Sequence, residues 1–373
     1  MVRPMNKLQR LCREFGQSPW LDNLKREWIA SGQLERWVDR GVRGVTANPT
    51  TFQKAISGDH HYDDQFQRLI AEGTSIEDSY WAMVRSDIED GLGILRRVHD
   101  TSDGVDGFVS VELAPALAHD TAGSIEAARR LQERIDEPNL FVKIPGTAAG
   151  LPAIATMIGE GHSINVTLLF GLQRYAEVMD AYMRGLETLL DAGGDVGRVR
   201  SVASFFVSRV DTEVDRRLEA IGSDEALDLR GNAAVANAQL AYELFLDTFQ
   251  GERWERLQAH GAKVQRPLWA STSTKNPAYP DTFYVDRLIG PDTVNTMPES
   301  TLEAADDHAT LMRSVDANLD RAHRMFEQLG DLGIDMKDVA HTLEDEGVAA
   351  FAKSYDELLS SLEGKAHELQ ERG

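Results

Sequence analysis

Eight short apolar segments alternate with longer stretches of helical periodicity, and this alternation limits the possible folds more than any other feature of the chain. Strand-like runs fall at residues 19–24, 44–48, 108–114, 140–145, 163–168, 202–207, 267–272 and 293–297. Between them, helical patterns cover 25–39, 76–99, 124–135, 151–159, 173–192, 211–220 with 226–250, and 304–329. Strands that alternate with helices imply a parallel sheet joined by right-handed crossovers. Eight such units point to an α/β fold of the (β/α)8 TIM-barrel type, with an open doubly wound sheet as the alternative. The 373 residues suffice for one large core, so residues 1–373 are read as a single barrel domain. An extra N-terminal segment, 1–17, precedes the first strand. A C-terminal helical extension, 336–373, follows the last unit and carries a long helical pattern over 344–371.

In a barrel strand, side chains alternate between the barrel interior and the helix layer, both largely apolar. Polar groups there are costly to bury without partners. This chain places them in seven of its strand-like runs: Asp22; Thr46 and Asn48; Glu112; Lys143; Asn165 and Thr167; Ser204; and Ser271. Most lie near the C-terminal end of their strand, where barrel active sites are built. Lys143 beside a glutamate reads, taken alone, as a structural ion pair as readily as a nucleophile. Several such residues together favour a shared polar pocket, because buried pairs seldom add stability over apolar packing.

The chemistry available to such a pocket is specific. Burial disfavours the ammonium form of a lysine and frees an amine that can attack a ketone. The resulting iminium is an electron sink, so a carbon–carbon bond beta to it can break. One carboxylate can then take the proton of the substrate hydroxyl and another can relay protons through a water, which makes Asp22 and Glu112 the candidates. Asn and Thr side chains can hold hydroxyls and that water. Arg209 and Lys275 follow late strands, where barrels often bind phosphate. Arginine offers a planar fork to phosphate oxygens and lysine a compact charge; each could equally be a solvated loop cation.

Charge and motifs exclude other classes. The formal net charge of −22 repels nucleic acid and anionic membranes, so no partner of either kind is expected, and an anionic metabolite would bind only where cations are concentrated. Cys12 is the one cysteine, so no intrachain disulfide can form. Charges interrupt the first sixteen residues, which do not read as a signal peptide, and no apolar run is long enough to span a bilayer. A cytoplasmic location is the expectation. No HExxH, CxxC or EF-hand spacing occurs, and no Walker A, GxGxxG or GxSxG pattern follows a strand, so no metal site is expected.

At this point the residues resemble a known family. GVTANPTTF resembles the transaldolase signature after the second strand, and LFVKIPGT resembles the segment that carries its Schiff-base lysine. SINVTLLF, SFFVSRVD and WASTSTKNP resemble its later strand motifs in order, from about Asp22 to Met297. The resemblance implies Lys143 as the Schiff-base former, Glu112 as acid/base through a water that Thr167 helps to hold, and Asp22 as proton acceptor in carbon–carbon cleavage. It implies Thr46, Asn48, Asn165 and Ser204 as contacts to the sugar chain, and Arg209, Ser271 and Lys275 as phosphate ligands. The implied reaction takes sedoheptulose 7-phosphate and glyceraldehyde 3-phosphate to erythrose 4-phosphate and fructose 6-phosphate in the pentose phosphate pathway, with no metal or organic cofactor. The chain departs from the family at Ala47, a position often hydroxylated, and at Lys275, where many members carry arginine in a shorter loop. A class I aldolase that releases free dihydroxyacetone would share the lysine and the barrel. A non-catalytic sugar-phosphate-binding barrel is the reading from another class.

Overall fold

The computed structural model describes residues 4–372. Eight parallel strands close a barrel: β1 (Gln17–Asp22), β2 (Val45–Thr46), β3 (Val109–Glu112), β4 (Leu140–Pro145), β5 (Ile164–Leu169), β6 (Ser201–Phe206), β7 (Arg266–Ala270) and β8 (Thr293–Met297). Each strand pairs with its neighbours in sequence, and β1 also pairs with β8, which rules out the open sheet. Outside the barrel, helices bury their apolar stripes on the strands. Tyr175 of helix Leu172–Asp191, Phe205 of β6 and Trp269 of β7 interlock there, with ring centroids 5.7 and 6.2 Å apart.

Several helical runs are shorter than their periodicity suggests. The run 25–39 is two helices, Arg26–Ala30 and Gln33–Arg40, parted at Gly32, whose φ of 70° no helix continues. The run 226–250 breaks into Asp224–Asp228 and Ala233–Thr248, with Gly231 left-handed between them. The run 304–329 splits into Glu299–His308 and Leu319–Asp331. The second strand shrinks to two residues because Asn48 turns away to cap helix Pro49–Gly58, accepting from Thr51 N at 3.0 Å. Gly44, just before it, lies under the Trp20 indole, where a β-carbon would come within 2.3 Å of the ring.

Both ends of the barrel carry a helix that the eight units do not require. Helix Lys7–Phe15 buries Leu8 and Leu11 and packs on β1 and helix Glu299–His308, at the N-terminal rim. Met1–Arg3 lie outside the described residues, as does Gly373 at the other end. Helix Met336–Arg372 crosses the opposite rim. It packs against helix Pro49–Gly58, the turn Pro115–His119, β5 and helix Ser208–Ile221, which follow or belong to four different strands. Phe351, Tyr355, Leu358 and Leu362 are buried beneath it. Thr50 donates to Ser354 at 2.9 Å, and Tyr355 donates to Glu77 at 2.9 Å.

Candidate active site

The period of two along each strand decides what faces the barrel interior. Trp20, Ser110 and Phe141 lie two residues before Asp22, Glu112 and Lys143, so they form the layer below them. Phe141 stacks on Phe108 at 4.0 Å and meets Trp20 at 6.1 Å, giving the pocket an apolar floor. Register then sets the ring of polar groups above it. Glu112 is the direct neighbour of Lys143 across β3 and β4, Lys143 that of Asn165 across β4 and β5, and Asp22 that of Thr46 across β1 and β2.

The central contact joins Lys143 Nζ and Glu112 Oε2 at 2.8 Å, with both residues buried, at 4 and 6% exposure. Lys143 also reaches the Ala47 carbonyl at 3.4 Å, so the position that departs from the family motif contributes its backbone. Burial pushes the Glu112 carboxyl up, against the attraction and hydrogen bond of Lys143. Burial likewise pushes Asp22 up, against Lys143, a hydrogen bond from Thr46, and the more distant charges of Arg209 and Lys275. Thr46 Oγ1 donates to Asp22 Oδ1 at 2.9 Å. Asn165 donates to Ser110 Oγ at 3.1 Å and accepts from Ser204 Oγ at 2.7 Å. Thr167 is fully buried, and its hydroxyl has no partner among the described residues. Thr167 lies two residues beyond Asn165, the register partner of Lys143, and a buried, unbonded hydroxyl is a natural water site.

Asn48 stands at the rim as a helix cap. Arg209 sits in the first turn of helix Ser208–Ile221, with its guanidinium 5.2 Å from the Phe206 ring. Burial pushes it down, and the charges of Asp22, Glu112 and Glu346 oppose that. Glu346 belongs to the C-terminal helix, so Arg209 lies between that helix and the site. Ser271 hydrogen-bonds Ser208 through their hydroxyls at 2.9 Å and joins Arg209 at this rim. Lys275 is different: it is exposed in its loop and, among the described residues, donates only to Ser273 at 3.0 Å. The structure therefore gathers ten of the eleven candidates around the mouth and leaves Lys275 at its margin. Leu168 and Ser271, with φ of 61° and 55°, hold left-handed backbone at the ends of β5 and β7, beside Thr167 and the Arg209 rim.

One residue escaped the sequence reading. Thr296 of β8 pairs with Thr46 through their hydroxyls at 2.7 Å, completing a chain to Asp22. Its signal was present, a hydroxyl in the run TVNTM, but threonine suits strands so well that it does not stand out as lysine does.

Fold and site together describe a (β/α)8 barrel with a buried amine and carboxylate, Lys143 and Glu112, and a half-buried second carboxylate, Asp22, at its C-terminal end. No group of three or more potential metal-ligating side chains occurs among the described residues. Residues 19–362 match the family described as transaldolase/fructose-6-phosphate aldolase. The chain is 50% identical over 364 residues to a transaldolase of a Parafrankia species, covering 97% of this chain and 98% of that protein. It is 49% identical to the transaldolases of Mycolicibacterium smegmatis and Mycobacterium tuberculosis, covering 94% of this chain and 95% of each relative. The chain belongs to the transaldolase/fructose-6-phosphate aldolase family, and its function is that of a transaldolase.

Proposed function

We propose that the enzyme moves a dihydroxyacetone unit from sedoheptulose 7-phosphate to glyceraldehyde 3-phosphate, giving erythrose 4-phosphate and fructose 6-phosphate, through a Schiff base on Lys143. The buried 2.8 Å contact between Lys143 and Glu112 carries this reading. Attack needs Lys143 as the free amine, and Glu112, 2.8 Å from Nζ with its carboxyl pushed up by burial, is the group placed to hold a proton beside it. The amine attacks the C2 carbonyl of the ketose. Glu112, through a water at Thr167, protonates the carbinolamine oxygen, which leaves as water and yields the iminium. Asp22 takes the proton of the C4 hydroxyl, the C3–C4 bond breaks, and the aldose departs. The bond's electron pair remains on the enamine of the bound three-carbon unit. Addition to the acceptor aldehyde runs the same steps backwards, with Asp22 returning its proton.

Asn165 and Ser204 orient the sugar hydroxyls in this reading, and Arg209 with Ser271 holds the terminal phosphate. Lys275 approaches the phosphate from its exposed loop. The C-terminal helix excludes water from the intermediate; hydrolysis of the intermediate would release free dihydroxyacetone. Borohydride reduction in the presence of fructose 6-phosphate tests the core of the proposal. A dihydroxyacetone-sized mass is expected on the peptide that contains Lys143, and Lys143→Met should abolish both adduct and turnover. An adduct on Lys54 or Lys275 instead would overturn the assignment.

A further inference from the structure

A separate cavity of about 350 Å³ opens on the outer helix layer, bounded by helices Ala233–Thr248, Phe283–Arg287 and Leu319–Asp331. Three arginines line it, Arg287, Arg321 and Arg324, against a single carboxylate, Asp228. No ion pair joins any of the three to a carboxylate among the described residues, although neighbouring cations are paired: Arg313 with Asp316, and His323 with Glu243. The partners they do have are neutral. Arg321 donates to Asn232 Oδ1 at 3.1 Å. Arg287 lies 3.8 Å over the Phe283 ring and donates to the Phe283 carbonyl at 3.1 Å. Asp286 feels the charge of Arg287, but its oxygens are engaged by Thr282 and by the Thr310 amide. The cavity thus sets three positive charges against one negative in a chain whose net charge is −22.

We infer that this cavity is a second anion site that takes a small phosphorylated metabolite. Like charges gathered in one concavity repel unless an anion neutralises them, and guanidinium forks match phosphate oxygens. The volume suits a molecule of sugar-phosphate size. A long polyanion would meet the field of the whole acidic chain, which disfavours nucleic acid. The cavity is also linked through one ring contact to the loop that carries Lys275. Phe283 forms part of its wall and stacks at 4.8 Å on Tyr279, in the loop that begins at Ser271 and carries Lys275. An occupant therefore bears on the base of that loop.

Titration calorimetry of the full-length enzyme with inorganic pyrophosphate tests the inference. Arg209→Ala with Lys275→Ala removes both cations assigned to the active-site phosphate and should leave one binding event. Adding Arg321→Ala and Arg324→Ala, both exposed positions, should weaken that event by about tenfold or more, the scale of two lost charge-assisted hydrogen bonds. In the otherwise unaltered enzyme the same pair should leave kcat unchanged. Should Arg209→Ala fail to fold, Arg209→Gln serves in its place. Absence of binding in the variant lacking Arg209 and Lys275, or binding that persists after loss of both outer arginines, would overturn the site. Citrate should bind at least about tenfold more weakly than pyrophosphate; equal affinity would overturn the phosphate class.

Discussion

At the N-terminal end of the barrel, Asp106 accepts hydrogen bonds from Ser18 at 2.8 Å, Trp20 at 3.2 Å and Arg266 at 3.2 Å, with Arg43 at 3.4 Å. Arg266 in turn donates to Ser18 and to the Thr293 carbonyl, at 2.7 and 2.8 Å. At the C-terminal end, Asp22 is bonded through one oxygen, Thr167 through none, and Arg209 has no ion pair among the described residues. Both clusters bury carboxylates among cations within one barrel. The lower one has its hydrogen-bonding capacity filled from within, whereas the upper one leaves donors and acceptors open. Saturation marks a group that holds the fold together, and open capacity marks one that awaits a ligand. The covers differ in the same sense. The N-terminal helix brings Cys12 close to the Asp106 cluster and seals it, and burial together with the Asp106 charge pushes that thiol up. The C-terminal helix spans loops that must admit substrate.

Isosteric substitutions that remove a carboxylate charge at each end should separate these roles. Glu112→Gln is expected to lower turnover about 10²–10⁴-fold, the usual contribution of a general acid/base, with near-native circular dichroism. Asp106→Asn leaves Arg43 and Arg266 facing a neutral group. It should cost about 3–5 kcal/mol in urea unfolding while kcat of the folded enzyme stays within about twofold. If both variants lose activity alike, or both lose stability alike, the distinction between the two clusters is mistaken.

Removing residues 344–373 probes the covers. It deletes the Arg174–Glu344 ion pair and the buried Phe351, Tyr355, Leu358 and Leu362, so thermal stability must fall. If the helix shields the intermediate, free dihydroxyacetone should also rise relative to transfer, by a few-fold or more on the scale of a lost lid contact. An unchanged partition ratio would reduce the helix to packing.

The smallest effect belongs to Thr296→Val. If Thr46 donates to Asp22, its bond with Thr296 has Thr296 as donor, and the chain favours the ionised carboxylate. Burial raises Asp22, and the proposed mechanism needs it ionised to take a proton, so the acid limb of turnover should lie higher than for an ordinary carboxylate. Losing the outer hydroxyl should move this limb further up, by less than about one pH unit, since a hydrogen bond of this kind is worth about 0.5–1.5 kcal/mol. A limb that stays put would mean that Thr296 only fills space.

Much of this enzyme was legible before any coordinate. The run FVKIP is apolar enough to be a strand and charged at one place only, so Lys143 stands out by the cost of burying it. The same cost exposes Glu112 and Asp22. Helix breaks at Gly32 and Gly231 were harder to read, because apolar periodicity continues across them and a glycine within a helical pattern is often tolerated. Lys275 follows a strand as Arg209 does, and its sequence context alone cannot separate a rim cation from an exposed one.

The sequence by itself determined the strand–helix alternation, the site's chemical types and the acidity that confines anion binding to local cation clusters. All of these rest on residue identity and short-range spacing. Tertiary structure decided which groups meet. Closure of β1 on β8 brings Thr296 to Thr46 across 250 positions of sequence. Register sets Glu112 beside Lys143. The outer cavity draws Arg287, Arg321 and Arg324 from two helices that β8 and helix Glu299–His308 separate in sequence. Such contacts depend on strand register and helix packing, which are fixed by how the whole core closes.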